Sequence, residues 1–311
     1  SSLPLLEGIL QQAPGVKLLA TSREQLNLSG EWVFDLQGLP TPPPIAEHQT
    51  SGAGLAAYSS VALFLQTARR VQSGFTLALE EQGAVARLCR LVEGMPLAIE
   101  LAATWVRTLT CTEIVAELER SIDFLTTQAR GAPERHRSMK AVFDHSWRLL
   151  TPTEQRALRR LAVFRGGFRR DAAQVVAGAS LASLASLVGK SLVRHSTHGR
   201  YELHELVRQY AAAHLAIDER EKAATHTQHS DFYLGRLQQQ CQALRTAQQA
   251  QVLADFIAEA DNVRTAWRWL VAQGDGARIR AASLAMIDVY DWLHWFQEGD
   301  DIFGRAAAAL T

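Results

Sequence analysis

The fold of this chain is restricted most by residues 151–203, which predict three short helices followed by two short strands. The first helix begins at Thr151-Pro152-Thr153-Glu154, a capping box with proline at the first helical position, and it stops before Gly166-Gly167. Apolar residues at helical spacing give the next two helices, and two runs flanking a glycine-containing turn give the strands. The predicted elements are a first helix that runs through Leu158 and Leu161, helices over 171–176 and 181–190, and strands over 192–195 and 200–203. Three helices followed by a hairpin are typical of a winged helix-turn-helix.

The third of these helices ends in LVGKSLV, whose Gly-Lys-Ser core matches the end of a phosphate-binding loop. A complete loop needs a second glycine five positions before the Gly-Lys, because backbone N–H groups curl around the phosphates. That position is Leu184. Leu181, Leu184, Leu187 and Val188 recur at helical spacing, so the tripeptide is predicted to be a helix C-terminus.

Proline and polar clusters divide the rest of the chain. Residues 40–44 contain four of the nine prolines, which predicts a stiff linker that neither a helix nor a central strand tolerates. A polar segment over 131–137 marks a second boundary, and helical periodicity fills most of the chain between and after them, with weak breaks at Gly235 and at 273–276. The predicted domains are 1–45, 46–132, 133–216 and 217–311.

Two strands are predicted near the amino terminus. Residues 16–23 are an apolar run after the turn signal Ala13-Pro14-Gly15, and the run ends in Ser22 and Arg23. This pattern predicts one buried strand with both polar side chains at its carboxyl end. Residues 32–36 predict a second strand.

Composition excludes several function classes. Thirty-two basic residues balance thirty-two acidic ones, so no net charge draws the chain onto nucleic acid or an anionic membrane. The three cysteines are odd in number and far apart, which suits reduced thiols. The longest apolar run is too short to span a bilayer, and no signal peptide is recognisable, so the cytoplasm is the default location.

A winged helix raises the hypothesis of DNA binding, and the predicted reading helix argues against it. Residues 181–190 offer one lysine, two serines and no arginine, so they lack the bidentate donors that discriminate bases. Arginines cluster on and after the preceding helix instead, where they suit a solvated face with interdomain salt bridges. These residues are Arg156, Arg159, Arg160, Arg165, Arg169 and Arg170. We therefore expect no direct DNA binding by this part of the chain.

The histidines give no sign of a metal site. His195, His198 and His204 lack a cysteine or acid that completes a tetrahedral ligand set, and solvent-exposed wing residues are the expected interpretation. His226 and His229 share a helix face near Asp231, for which a solvated face is expected. The sequence contains no nucleophile elbow and no carboxylate pair suited to acid–base catalysis.

Five ordered motifs resemble one family. The motifs are LLATSRE from Leu18, LCRLVEGMPLAIELAA from Leu88, SWRLLTPTEQRALRRLAVFRGGF from Ser146, LVGKSLV, and YELHELVRQYA from Tyr201. In order and spacing they resemble the STAND signal-transduction ATPases, and most closely the bacterial transcriptional regulators that contain an NB-ARC module. The resemblance implies a mainly α fold: a remnant of an α/β nucleotide-binding domain, a helical domain, a winged helix, and a TPR-like helical arm.

The resemblance also implies four nucleotide-binding residues. Arg23 matches a sensor arginine that reads a terminal phosphate, although a strand-end arginine paired with a surface carboxylate is the alternative. Gly94 and Pro96 match a glycine-x-proline element whose proline packs on the nucleotide, although proline is also common at helix starts. His204 lies in Leu203-His204-Glu205, where the family has methionine-histidine-aspartate and the histidine contacts the β-phosphate of ADP. The alternative is a partly buried histidine bound to a backbone carbonyl.

The implied function is an ATP/ADP-dependent switch, with Mg²⁺ in the intact parent, whose helical and winged domains close over ADP. The family's phosphate loop and acidic metal-binding strand align before Ser1, so we expect this fragment alone neither to hydrolyse nor to bind ATP tightly. The expected partners are an upstream phosphate-loop domain and, through the carboxyl-terminal helices, an inducer or protein partner. A DNA-binding winged-helix regulator and a helical-repeat scaffold are the alternatives.

Overall fold

The computed structural model describes residues 3–13, 15–22, 25–26, 28–34, 36–44, 52–126, 138–196 and 199–310. The described chain is mainly α, as predicted. Its helices are α1 Leu3–Gln12, α2 Gly52–Leu55, α3 Ser59–Val71, α4 Gln82–Leu91, α5 Pro96–Ala103, α6 Cys111–Arg120, α7 Met139–Arg148, α8 Pro152–Leu161, α9 Arg170–Ala177, α10 Leu181–Gly189, α11 Glu205–Leu215, α12 Glu219–Cys241, α13 Gln249–Gln273, α14 Gly276–Trp292 and α15 Phe296–Leu310. The strands are β1 Arg194–His195 and β2 Tyr201–Glu202.

The chain forms two compact units. The first unit consists of Ser1–Leu149, Ala185–Val193 and His204–Leu206, and the second consists of Leu150–Leu184, Arg194–Leu203 and Val207–Thr311. Each unit has its own apolar core, and the finer division into four domains stays a prediction.

The core of the first unit lies where α3 packs on α5 and α4 packs on α6. Phe64, Leu88, Ile99 and Ile114 are fully buried there. Helix α6 begins with a capping box formed by Thr110 and Glu113, and α5 begins with Pro96 at its first position. Burial of one large apolar side chain contributes about 1.5–3 kcal/mol, so these four residues account for much of the stability of this unit.

The proline-rich stretch packs onto the same helices. The carbonyl of Pro40 accepts a hydrogen bond from Ser60 Oγ at 2.8 Å, and the carbonyl of Pro42 accepts one from Arg90 Nη1 at 3.3 Å. Pro42 itself is buried. The stretch is therefore anchored along its length by its carbonyl groups, which proline leaves available although it removes the N–H donors.

The two strands predicted near the amino terminus do not form. Residues 16–22 and the described part of 32–36 have no strand pairing, and Leu19 and Trp32 are 99% and 96% exposed. A buried strand needs a neighbouring strand to satisfy its backbone groups, and the described residues place none beside this segment. The apolar run is of the kind typical of strands, but the prediction of a buried strand was wrong for the described residues of this segment.

The predicted helix-turn-helix begins in the second unit, which contains α8, α9 and the first turn of α10. Thr151 and Glu154 form both hydrogen bonds of the capping box that begins α8. Gly178, at φ +64°, ends α9, and α10 follows at an angle of 106° after a three-residue turn. This crossing angle and short glycine-containing turn are typical of a helix-turn-helix.

Helix α10 ends as the sequence predicts, in a helical C-terminus. Ser191 adopts a left-handed conformation at φ +56°, and the backbone N–H of Leu192 reaches back to the carbonyl of Leu187 at 3.0 Å. These are the features of a helix stop that satisfies the last carbonyl groups. The Gly-Lys-Ser tripeptide is therefore a helix cap, and no glycine-rich loop precedes it.

The wing is an antiparallel hairpin of β1 and β2, which pair Arg194 with Glu202 and His195 with Tyr201. Tyr201 also pairs with Phe168, with an N–H to carbonyl distance of 2.8 Å in each direction. The loop after α8 thus adds a third short strand-like segment to the hairpin. Phe164, Phe168 and Tyr201 stack in sequence beneath this pairing.

Helices α12 to α15, which we call the arm, complete the second unit. Helix α12 packs on α13, α14 and α9, and Trp267, Met286 and Val289 are among the buried residues of the arm. The predicted break at 273–276 is confirmed, because Gly274 ends α13 in a left-handed conformation. The predicted break at Gly235 is wrong, since this glycine lies inside the 23 residues of α12, where open space surrounds it.

Within the described residues, no single helix is long and apolar enough to cross a membrane. Helices α9 and α10 pass that test of length and composition only when taken together, across their 106° bend.

Candidate functional site

The Gly94–Pro96 element forms a tight loop between α4 and α5. Glu93 and Gly94 both have positive φ values, 46° and 68°, and the N–H of Leu39 donates to the carbonyl of Gly94 at 2.8 Å. A Cβ atom on Gly94 would lie 1.9 Å from the carbonyl oxygen of Leu39, so the close approach of these two segments requires glycine. Pro96 follows at the start of α5 with an exposed ring.

His204 lies beside this loop, within the same compact unit. It is 7% exposed, its Nε2 lies 3.2 Å from the carbonyl oxygen of Val92, and its Nδ1 accepts the N–H of Leu206 at 3.1 Å. Because Nδ1 is an acceptor, these partners assign the Nε2–H tautomer, which donates to Val92. The expectation of a solvent-exposed wing histidine was wrong for His204, and the alternative of a buried histidine bound to a backbone carbonyl matches its surroundings.

A carboxylate is also near His204. Glu93 Oε2 lies 3.9 Å from Nε2, a distance that becomes an ion pair when the imidazole is protonated. The structure therefore places His204 against Val92 and Glu93, the two residues that precede Gly94. Of the four residues implied by the resemblance, Arg23 lies outside the described residues.

The helix expected to read DNA presents few polar donors. Its exposed side chains include Leu181, Ala182 and Ala185. Lys190, just after α10, lies 3.4 Å from the carbonyl of Leu149. Specific reading of bases depends on arginine, lysine, asparagine or glutamine at the groove-facing positions of the helix, and α10 lacks them there.

The arginines near the winged helices contact acidic residues of the arm. Arg159 and Arg160 donate through Nε to the two oxygens of Glu221 at 2.7 and 2.8 Å. Burial of Glu221 raises its pKa, but these hydrogen bonds and charges outweigh burial and lower the pKa below its usual value. Arg169 donates to Asp255 at 2.9 Å. The salt bridges predicted for these arginines are thus present at Arg159, Arg160 and Arg169, within the second compact unit.

A second polar cluster joins the wing and the loop after α8 to α13. Arg200 forms a bidentate pair with Glu259, and hydrogen bonding to Glu259 raises the pKa of the Arg200 guanidinium. Asn262 is fully buried; its Oδ1 accepts the N–H of Arg165 at 2.8 Å, and its Nδ2 donates to the carbonyl of Gly167 at 2.7 Å. The side chain of one helix residue therefore satisfies two backbone groups of the loop.

Residues 150–216 match the family described as the winged helix-turn-helix domain. These residues form a winged helix-turn-helix domain. The winged domain follows the element order predicted from the sequence, and it contains the hairpin that precedes His204.

The chain is similar to longer mycobacterial proteins. A protein of Mycobacterium tuberculosis (strain ATCC 25618 / H37Rv) named "Putative HTH-type transcriptional regulator" is 35% identical over 275 residues, which cover 85% of this chain and 29% of that protein. A protein of the same name in Mycobacterium bovis matches with the same figures. An "Uncharacterized protein" of Mycobacterium tuberculosis is 33% identical over 223 residues, covering 68% of this chain and 53% of that protein. The chain thus spans less than a third of the length of the regulators. No solved structure matches it.

Two histidines of α12, His226 and His229, are less exposed than the sequence predicted. His229 is 1% exposed and lies 3.4 Å from Asn262 Oδ1, and His226 stacks on Trp269 with ring centroids 4.7 Å apart. The prediction of a solvated histidine face was wrong, because this face of α12 packs on α13 instead of facing water. Burial lowers the pKa of His229 to about 3, so the winged domain and arm enclose a neutral imidazole.

Asn262 and Glu259 were not singled out from the sequence. Their signal is a glutamate and an asparagine three residues apart in EADNVRTAW, on a helix face that also contains Val263, Ala266 and Trp267. A buried polar pair within an apolar stripe needs partners. Asn262 finds them in backbone groups of a distant loop, and Glu259 finds its partner in the Arg200 side chain. Within the described ranges no group of three or more histidine, cysteine or acidic side chains is arranged to hold a metal.

An open cleft of about 760 Å³ lies between the start of α9 and the wing turn. It is lined by Arg169, Arg170, Asp171, Gln174 and Gly199. Asp171 pairs with Arg236 and Arg169 pairs with Asp255, whereas Arg170 is exposed and, among the described residues, forms no hydrogen bond to an arm carboxylate.

Proposed function

We propose that this chain is the regulatory part of a transcriptional regulator, and that its helical and winged domains respond to bound ADP or ATP. The observation that carries the proposal is the position of His204, whose Nε2–H lies against the carbonyl of Val92, two residues before Gly94. Two motifs that are 112 residues apart thus meet at one buried hydrogen bond. The resemblance assigns both motifs to nucleotide contact.

The chemistry of these residues fits a nucleoside diphosphate in part. A neutral Nε2–H is a hydrogen-bond donor for a phosphate oxygen, and the exposed ring of Pro96 offers an apolar surface for a base or sugar. When bound, the nucleotide would supply negative charge that the N–H donor stabilises. The carboxylate of Glu93 lies close to Nε2 and repels an anion at that position. To donate to a phosphate oxygen, His204 would therefore have to leave the carbonyl of Val92 and turn away from Glu93.

The 311-residue sequence contains no complete phosphate loop, so these residues alone are expected to bind ADP weakly. The upstream domain of the parent protein is therefore proposed to supply the phosphate cradle and the Mg²⁺ site. The arm is proposed to receive the inducer or a protein partner.

The test compares ADP affinity by calorimetry in this chain and in a longer protein with a phosphate loop before Ser1. In the longer protein His204→Ala should weaken ADP binding about 10- to 100-fold, the usual loss for one hydrogen bond to a charged group. His195→Ala, at an exposed wing histidine, is the matched control. Equal affinity of wild type and His204→Ala would remove His204 from the proposed switch.

Direct DNA binding is the second candidate function. It is favoured by the winged helix-turn-helix match and by the names of the mycobacterial relatives. The geometry supports it less, because α10 exposes apolar side chains and four arginines near the winged helices pair with carboxylates of the arm.

A salt titration separates the two candidates. Binding to a duplex through phosphates falls steeply between 50 and 200 mM salt, by roughly 10³-fold or more for six contacts. A duplex bound tightly at physiological salt, and weakened by Arg170→Ala, would support direct binding. Absence of binding at 50 mM salt would exclude it for this chain.

A further inference from the structure

One face of the arm helix α14 is open to solvent in the described chain. The opposite face, which includes the buried residues Met286 and Val289, packs on α12, α13 and α15. On the open face Leu284 is 71% exposed and Ile287 is 48% exposed. All four helices belong to the second compact unit. Two large apolar side chains, one turn apart, thus face water on a helix that is otherwise well packed.

Charged residues flank this apolar pair on the same face. Positions 280, 284, 287 and 291 follow one another at intervals of four, three and four residues, which places them in one stripe along a helix. We call Arg280, Leu284, Ile287 and Asp291 the outer stripe of α14. Arg280 and Asp291 are exposed, and neither forms an ion pair with another described residue. The outer stripe therefore has an apolar centre, a positive amino-terminal end and a negative carboxyl-terminal end.

The order of these two charges is unfavourable for the helix itself. The amino-terminal end of the helix dipole favours acidic side chains, and the carboxyl-terminal end favours basic ones. Arg280 lies in the first half of α14 and Asp291 lies in its last turn, while the first turn contains no acidic residue and the last turn no basic one. The stability of α14 as a single helix therefore gives no reason for this arrangement.

Pairing with a second copy of the same helix does give a reason. When two α14 helices pair in opposite directions about a two-fold axis, Arg280 of each copy lies opposite Asp291 of the other. In the same register Leu284 of each copy lies opposite Ile287 of the other, as successive layers of an antiparallel helix pair. In a parallel pair, like charges would face each other at both ends of the stripe and repel. The charge pattern is therefore complementary to itself in the antiparallel direction alone.

We propose that the outer stripe of α14 is the interface of an antiparallel homodimer of this chain. The stripe extends about 16 Å along the helix, at 1.5 Å per residue. An interface of this length is smaller than that of an obligate dimer, so association depends on concentration, with a dissociation constant on the order of 10–100 μM. The proposal names a second copy as a partner of the arm, and it does not rest on nucleotide binding.

Sedimentation velocity of the full 311-residue chain without nucleotide tests the dimer. Wild type should change from monomer to dimer between about 1 and 500 μM. Leu284→Glu places a carboxylate at the centre of the stripe in both copies and should raise the dissociation constant at least about ten-fold. Ile257→Glu is the matched control, because Ile257 is 53% exposed and lies on α13 instead of α14. This variant should dimerise as wild type does.

Charge reversal tests the antiparallel direction. Arg280→Asp gives the stripe two negative ends, and Asp291→Arg gives it two positive ends. Each variant should therefore self-associate about ten-fold more weakly than wild type at 50 mM salt. At 500 mM salt this difference should shrink, because salt screens exposed charges. A parallel dimer would show no such weakening, since like charges already face each other in its wild type.

A mixture of the two charge variants separates loss of charge pairing from loss of folding. Each new charge agrees with the helix dipole, so both variants should stay folded, which urea unfolding verifies. Mixed in equal amounts, they should form a heterodimer at about the wild-type dissociation constant, because opposite charges meet again at both ends of the stripe.

Three results would overturn the proposal. The first is a monomeric wild type at about 500 μM, far above the expected dissociation constant. The second is dimerisation of Leu284→Glu at wild-type strength, which would place the interface elsewhere. The third is self-association of the charge variants at wild-type strength, or failure of their mixture to associate. A failure of ADP binding in the longer protein would refute the proposed function and leave these results unaffected.

Discussion

Asn262 Nδ2 lies 2.7 Å from the carbonyl oxygen of Gly167, which joins the middle of a long arm helix to the loop between α8 and α9. The same amide accepts the backbone N–H of Arg165, so it pairs with the loop in both directions. A side chain that satisfies two backbone groups fixes the position of a segment more strictly than apolar contact does, because each unpaired group costs about 1–3 kcal/mol when buried.

Asn262→Ala should lower the free energy of unfolding by about 3 kcal/mol, since it leaves both loop groups unpaired and opens a small cavity. The measurement is urea unfolding followed by circular dichroism. Gln251→Ala is the control on the same helix, because its exposed amide donates one hydrogen bond to Asp255, and it should change stability by less than about 0.5 kcal/mol. Equal effects of the two substitutions would contradict the role given to Asn262.

Gly167→Ala should destabilise the protein by about 2 kcal/mol, because the new Cβ meets the Tyr201 carbonyl in addition to the left-handed backbone. Gly178→Ala separates these two causes. Gly178 has a similar positive φ of 64° but open space around it, so its substitution should cost only about 1 kcal/mol. The difference between the urea midpoints of the two variants measures the cost of placing a Cβ atom against the Tyr201 carbonyl. Equal midpoints would contradict this contribution.

The stability of the chain should fall as the pH decreases from 7 to 5. Burial lowers the pKa of His229 to about 3 in the folded chain, whereas the unfolded histidine titrates near 6.5. The unfolded state therefore binds one more proton between these values, and stability is lost as the pH falls through 6.5. The expected loss at pH 5 is about 2 kcal/mol from this residue.

Urea midpoints across this pH range check the prediction. His229→Gln should have a shallower dependence on pH than wild type, even though it is less stable at pH 7. His226, whose pKa is also lowered by burial, contributes in the same direction, so some dependence should remain. An identical slope in wild type and His229→Gln would contradict the assignment.

Glu221→Gln should cost about 2 kcal/mol, because it removes the charge that pairs with both Arg159 and Arg160 in a region shielded from solvent. Glu219→Gln is the neighbouring control. Glu219 pairs with Lys222 at a side chain that is 74% exposed, so its loss should be within about 0.5 kcal/mol. Thermal unfolding at low salt compares the two, and a larger effect of Glu219→Gln would refute the interpretation.

The features predicted correctly from the sequence are those decided by neighbouring residues. The capping box at Thr151 and the break after α13 at Gly274 each depend on groups within four positions along the chain. The same holds for the rejection of LVGKSLV as a phosphate loop. Such short-range signals specify helix boundaries without knowledge of the tertiary fold.

The errors concern features decided by distant residues. A strand over residues 16–22 needs a partner strand that the sequence pattern cannot supply, and burial of His229 depends on Asn262, 33 positions away. His204 gives the sharpest case, because its partner Val92 is 112 positions away. Local sequence indicates that a polar residue needs a partner, but only the packing determines which residue provides it.

The buried amide of Asn262 also has a consequence for how this protein can be recombined. An arm taken from a relative with an apolar residue at this position would leave the loop of this winged domain unsatisfied, and a larger residue in place of Gly166 would put a Cβ atom 3.0 Å from the Asp261 carboxylate of this arm. Functional chimeras should therefore have their junction before α8 or after α15, where no such shared amide is cut. The winged domain and the arm should therefore be exchanged together.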